Sequence, residues 1–213
     1  MPTPRLVDLS NNNGLVAGRA IIQAPGVAAV YAKATEGLTF KDGLYPKFRQ
    51  TAKAHERVFG GYLFLHPDQD GAAQAEAFLA YAKPKPGDLE PVVDSETGYP
   101  GSRAAQTTSE ALDRLEKAGY RPILYGSTSY LTGLLRAVPE LRRFRVWQAE
   151  YGSVLHRIPG LNAVAWQFTD RDIVCKGRLR VDGSRILARD LAALVITKPA
   201  RKQPVRRPPF GRI

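Results

Sequence analysis

Apolar runs of strand length recur along this chain with room for a helix or a loop between them, and that beat restricts the fold more than any other feature. The runs are Leu6 to Leu9, Val27 to Ala34, Val58 to Leu65, Pro91 to Val93, Pro122 to Tyr125, Phe144 to Ala149, Ala163 to Phe168 and Leu179 to Val181. Most are too continuously apolar for a sheet with one wet face, so both faces need covering. Eight such runs point to a barrel. Leu44 to Glu56, Gly71 to Tyr81 and Thr107 to Ala118 have the length and punctuation of crossover helices. The first five runs therefore read as βα units. Tyr151 to Asn162, with Gly152, Pro159 and Gly160, and the shorter Asp170 to Arg178 leave little room for a helix. The expectation is an α/β fold, an irregular β/α barrel of TIM type with a reduced helix count in its last third, closed by a helix near Asp190 to Val195.

The fourth run ends in Asp94-Ser95-Glu96. On an extended chain, alternate residues share a face, which puts the two Cα atoms about 6.6 Å apart. Carboxyls that close resist ionising together, and a barrel keeps its chemistry at the carboxyl ends of its strands. Such a pair suits glycosidic cleavage, where one carboxyl holds its proton and a neighbour stays negative. Asp8, Glu36 and Asp182 also stand in or after apolar runs, and the first and eighth strands of a barrel are neighbours, so Asp8 and Asp182 would approach across the closure. Each acid alone could equally be a turn residue or a helix cap. Their arrangement at corresponding ends of different strands is what favours a shared mouth. Lys33, in an otherwise apolar run, needs an anionic partner, which the acids would supply. Tyr31, Tyr62, Tyr125, Trp147, Tyr151 and Trp166 fall within or just past strands, where rings either pack a core or line a groove for a sugar chain.

Composition excludes several alternatives. Cys175 stands alone, which rules out an internal disulfide and a multi-cysteine metal site. His55, His66 and His156 are scattered and read as structural or surface residues, so no metal is expected. Without a P-loop or a G-x-G-x-x-G, no cofactor is expected. No run of eighteen apolar residues is present, so no stable membrane insertion is expected, and the N-terminus has no signal-peptide core. The formal charge is +11, and Lys198, Arg201, Lys202, Arg206, Arg207 and Arg212 carry six of those charges with no acid among them, which leaves +5 on the rest. With Pro199, Pro204, Pro208 and Pro209, residues 198–213 read as a basic, proline-rich flexible arm attracted to polyanions. Binding to nucleic acid would require basic residues interleaved with exposed aromatics, and the arm has only Phe210, so no nucleic-acid partner is expected.

Asp8-Leu9-Ser10, Tyr31-Ala32-Lys33-Ala34-Thr35-Glu36-Gly37, Gly61-Tyr62-Leu63-Phe64, Val93-Asp94-Ser95-Glu96, Leu124-Tyr125, Val146-Trp147-Gln148-Ala149-Glu150-Tyr151, Ala165-Trp166-Gln167-Phe168-Thr169 and Val181-Asp182 follow one another along the chain. In order and spacing this set resembles the glycoside hydrolase family 25 muramidases over about residues 5 to 195. The resemblance implies a barrel with fewer helices over residues 1–197, and hydrolysis of the β-1,4 bond between N-acetylmuramic acid and N-acetylglucosamine. It matches Glu96 to the general acid/base, Asp8, Asp94 and Asp182 to the other active-site carboxylates, and Lys33, Tyr62 and Tyr125 to groove positions, with Trp166 as a further candidate; Glu36, at the end of the second run, is added as a substrate-binding candidate on its position alone. The chain departs from the family pattern at Leu63, where histidine is frequent, and at Asp182-Gly183-Ser184, where Asp-x-Asn is frequent.

These readings combine into a monomeric lysozyme with retention of configuration, in which neighbouring carboxylates raise the pKa of Glu96. Either the substrate acetamide, oriented by Asp94, or a carboxylate such as Asp8 or Asp182 would meet the anomeric carbon. The expected partners are bacterial peptidoglycan and, through the arm, anionic wall polymers. The expected setting is a bacteriophage endolysin or a particle-borne enzyme, made in the host cytoplasm and acting at the wall. The competing reading is a barrel that binds wall glycan as part of a virion without cutting it.

Overall fold

The computed structural model describes residues 5–174, 179–189 and 191–198. Its elements in chain order are β1 (Arg5–Leu9), α1 (Leu15–Gln23), β2 (Val27–Glu36), β3 (Phe40–Lys41), α2 (Tyr45–Ala54), β4 (Val58–Phe64), α3 (Gly71–Ala82) and β5 (Val92–Asp94). They continue with α4 (Ser102–Lys117), β6 (Ile123–Ser127), α5 (Thr128–Ala137), β7 (Arg145–Ala149), β8 (Asn162–Val174) and β9 (Leu179–Ile186). All eight apolar runs lie on strands, and each of the first five is followed by a helix. α1 and α5 are additional to the three helices that the sequence singled out.

The strands close into an eight-membered ring, β1-β2-β4-β5-β6-β7-β8-β9 and back to β1, with β3 a short antiparallel extension of β2. Seven members run parallel. β9 is antiparallel to both β8 and β1, because the link from β8 is too short for a crossover and an antiparallel partner is what a short link can reach. The ring is therefore a looser version of the expected TIM-type barrel, and Asp182 comes from the middle of an antiparallel strand rather than from a carboxyl end. The expected closing helix is a single 3-10 turn, Leu191–Leu194, whose Leu194 carbonyl accepts a hydrogen bond from Glu90 N at 2.8 Å. Cys175 and residues 199–213, which include all of the expected arm except Lys198, lie outside the described residues.

The two-residue period sorts side chains into two cores. Val7, Val30, Ala32, Leu63, Val93, Leu124, Val146 and Val181 point outward beneath the helices. Leu6, Ala29, Tyr31, Tyr62, Val92, Ile123, Tyr125, Trp147 and Ala165 point into the barrel. The interior is a packed plug rather than a pore. The Tyr31 and Trp147 rings meet at 5.2 Å between centroids. Gly60 makes room for them: a Cβ there would lie 2.6 Å from both Tyr31 Cε1 and Leu89 Cβ.

Candidate active site

The inward stripe of each strand continues upward from the aromatic plug, and at the carboxyl ends of the parallel strands it turns polar. Asp8 follows Leu6 inward on β1, Lys33 follows Tyr31 on β2, and Asp94 follows Val92 on β5. Asp182 lies directly opposite Asp8 in the β1 and β9 pairing, which places both on the same face. Glu96 stands two residues past Asp94, beyond the end of β5. Asp8, Asp94, Glu96, Asp182, Lys33, Tyr62 and Tyr125 thus line one cleft of about 230 Å³.

Trp166 and Glu36 lie outside that lining. On β8 it is Gln167 that turns inward, where its Nε2 donates to Asp8 Oδ2 at 3.1 Å, so the preceding Trp166 faces out. There its Nε1 donates to the Glu150 carbonyl at 2.7 Å and its ring meets Phe168. The tryptophan of the cleft is Trp147, held by a 3.1 Å hydrogen bond from its Nε1 to Ser184 Oγ. Glu36, three residues along β2, is the ion-pair partner of Lys33, Nζ to Oε2 2.8 Å, so one of the acids expected from sequence does supply the anion of the buried lysine, which also favours the ionised forms of Asp94 and Glu96. Phe64 also stacks under the Lys33 ammonium, 4.8 Å from ring centroid to Nζ. Tyr151 completes the wall and is 59% exposed.

Burial and mutual repulsion set the charge state of the acids. Asp8 is pushed well above the ordinary carboxylate range, first by burial and then by Asp182, with the Gln167 hydrogen bond opposing. Asp182 is raised as well, again first by burial, while its hydrogen bond with Asp8 works the other way. Both carboxyls are thus held above the ordinary range, and burial and mutual repulsion disfavour the two ionising together. Asp94 is raised by burial and then by Glu96 and Asp8, with Lys33 opposing. Its Oδ1 is buried without a hydrogen-bond partner. Glu96 is raised too, by burial first and by Asp182 second. Glu96 as a residue is nonetheless solvent-exposed, and it lines the cleft. Burial thus outranks the neighbouring carboxylates that the sequence reading held responsible.

Tyr125 Oη donates to Gln167 Oε1 at 2.8 Å, and Gln167 in turn donates to Asp8, so one buried amide orients both the phenol and the acid. Trp147 and Tyr151 were read from sequence only as rings that either pack a core or line a groove, and Gln167 was given no role. The chemistry this arrangement offers is protonation of a leaving group by an acid held above its usual pKa, beside the three further carboxyls of Asp8, Asp94 and Asp182.

Comparison with known proteins follows the same lines. The chain is 28% identical over 166 residues to the autolytic lysozyme of Clostridium acetobutylicum, covering 77% of this chain and 50% of that protein. It therefore spans half the length of that relative. The bacterial lysozyme from Streptomyces coelicolor superposes with a TM-score of 0.78 at 21% identity, covering 91% of this chain and 96% of the other. A family 25 glycosyl hydrolase from Bacillus anthracis gives 0.77 at 23% identity, covering 88% and 90%. Residues 7–176 match the family model described as Glycosyl hydrolases family 25, which spans the acid cluster from Asp8 through Glu96. The chain belongs to glycosyl hydrolases family 25.

Proposed function

We propose that this chain is a peptidoglycan muramidase that hydrolyses the β-1,4 bond between N-acetylmuramic acid and N-acetylglucosamine with net retention. The observation that carries the reading is the placement of Glu96: a carboxyl with a raised pKa, on a solvent-exposed residue that lines a cleft together with Asp8, Asp94 and Asp182. In the first step Glu96 donates its proton to the glycosidic oxygen, and the bond to the anomeric carbon breaks. Asp94, whose side chain lines the cleft, accepts the N–H of the 2-acetamido group and turns its carbonyl oxygen toward the anomeric carbon. The ring formed by that attack is positive, and negative charge on the neighbouring Asp8 and Asp182 carboxyls favours it. The Glu96 carboxylate then takes a proton from water, which opens the ring and leaves the original configuration.

The acetamide route is favoured over direct attack by Asp8 or Asp182, because those two are engaged with each other and Asp8 also holds Gln167. Tyr62, Tyr125, Trp147 and Tyr151 offer ring faces and polar tips to the sugars. The protein acts on the wall as a monomer, and the basic residues from Lys198 onward hold it to anionic wall polymers. The setting proposed is bacteriophage lysis or entry. Expressed inside a bacterium, the chain is then expected to lyse cells only when the membrane is permeabilised. Digestion of purified wall is expected to yield fragments with N-acetylmuramic acid at the new reducing end, formed first as the β anomer by proton NMR. N-acetylglucosamine at that end, or the α anomer first, contradicts the reading.

A further inference from the structure

We propose that the cleft continues into a cationic cavity at the start of α4 and the end of α5, and that this cavity receives the carboxylate-bearing peptide arm that branches from the muramic acid. The inference rests on the muramidase reading and extends it to a part of the substrate the acids do not touch. The acid-lined cleft shares Glu96, Tyr125 and Tyr151 with a second cavity of about 480 Å³, whose further walls are Ser127, Thr128, Ser129 and Glu150. The second cavity shares Ser129 with a third of about 520 Å³, lined by Tyr99, Pro100, Ser102 and Arg136. The first two cavities lie at the carboxyl ends of β5, β6 and β7, and the third adjoins them at Ser129 and follows α5 from there past Gly133 to Arg136, against Tyr99–Ser102 at the start of α4.

Charge sorts what each part can hold. The first cavity carries four carboxyls and the second carries Glu96 and Glu150, so an anionic group is repelled from both while hydroxyl-rich sugar is not. No carboxylate lines the third cavity, and its one charged residue is Arg136. Among the described residues Arg136 makes no ion pair, whereas Arg114 is paired with Glu76 and Arg143 with Asp113 and Glu116. Ser102 and Ser129 add hydroxyl donors, and Tyr99, 86% exposed, adds an apolar face. The cavity wall is firm, because a Cβ at Gly133 would lie 2.7 Å from Pro100 Cβ. Arg136 is one turn further on that same helix face. A free guanidinium on a rigid wall beside an aromatic ring fits a peptide carboxylate better than a neutral sugar.

The test compares kcat/KM on peptide-bearing glycan and on glycan stripped of its peptides by an amidase. Arg136→Ala is expected to lower the ratio of the two about fivefold, the scale of one exposed charge pair. Arg136→Lys is expected to restore most of it, and Tyr99→Ala to lose part of it. A ratio that Arg136→Ala leaves unchanged overturns the proposal. Titration of the Glu96→Gln protein with a soluble saccharide, with and without its peptide, separates this failure from that of the muramidase reading. If the wild type releases no reducing ends from either polymer, that reading falls. The cationic site then stands if the peptide-bearing saccharide binds better and Arg136→Ala removes the preference, and it falls if there is no preference.

Discussion

Glu96 owes its raised pKa first to burial and then to Asp182, and a single substitution separates the two. Asp182→Asn removes a negative neighbour, which makes the ionised form of Glu96 less costly and lowers its pKa. The alkaline limb of the pH profile of kcat/KM is then expected to move to lower pH. A limb that stays in place assigns it to another group. Asp8 gives a prediction of the opposite kind. Its folded-state pKa lies above the unfolded value, so the stability linked to its proton is fully present below the unfolded pKa and is lost as pH rises through the folded one. Asp8→Asn mimics the protonated form and keeps an acceptor for Gln167. It is expected to raise Tm at pH 7 by roughly 2–4 °C per kcal/mol of relief. The gain should disappear at pH 3, and a gain equal at both pH values contradicts the upward shift of Asp8. The acids, Lys33 and the two tyrosines were legible in the sequence because charge at the end of an apolar run stands out. The tryptophans were not. Trp147-Gln148 and Trp166-Gln167 look alike, yet on β7 the tryptophan faces in and on β8 the glutamine does. Only the phase of each strand relative to the barrel axis separates them.

At the scale of elements, helices α1 and α5 were harder to see than α2, α3 and α4 because each carries a mid-helix glycine, which lowers helix propensity. Packing overrides that cost. A Cβ at Gly18 would lie 2.4 Å from Phe48 Cε1, so α1 can sit against α2 only with glycine there. Inside the barrel the same logic applies to Gly60 on β4. Gly60→Ala forces the Tyr31 ring and Leu89 apart and is expected to destabilise by about 1–3 kcal/mol. It should also weaken activity, because Tyr31 supports Trp147 beneath the cleft. Urea denaturation checks this. A midpoint that does not fall contradicts the close packing. The reversal of β9 was not visible either: the shortness of the Asp170 to Arg178 link excluded a helix, but an antiparallel strand follows from that shortness only once the hydrogen-bonding partners are known.

For the whole molecule, the barrel and its mouth were readable because eight apolar runs and several run-end acids obey one rule, that chemistry gathers where parallel strands end. The closing segment was less readable. Its backbone joins residues 87–90 through hydrogen bonds from Gly87 N to the Ile196 carbonyl at 3.0 Å and from Ile196 N to the Asp88 carbonyl at 2.8 Å. The charge distribution makes a separate prediction. Removing residues 198–213 takes six of the formal +11 charges and is expected to weaken wall binding, with a smaller dependence on salt than the full chain shows, while sparing cleavage of small fragments. Wall binding that is independent of salt in the full chain contradicts that role. The most direct measurement is the release of new reducing ends from purified peptidoglycan by wild type and by Glu96→Gln. The account predicts steady release by the wild type and a loss of about 10²–10⁴-fold in the variant. Equal release by both proteins, or clearing of the wall without new reducing ends, contradicts it.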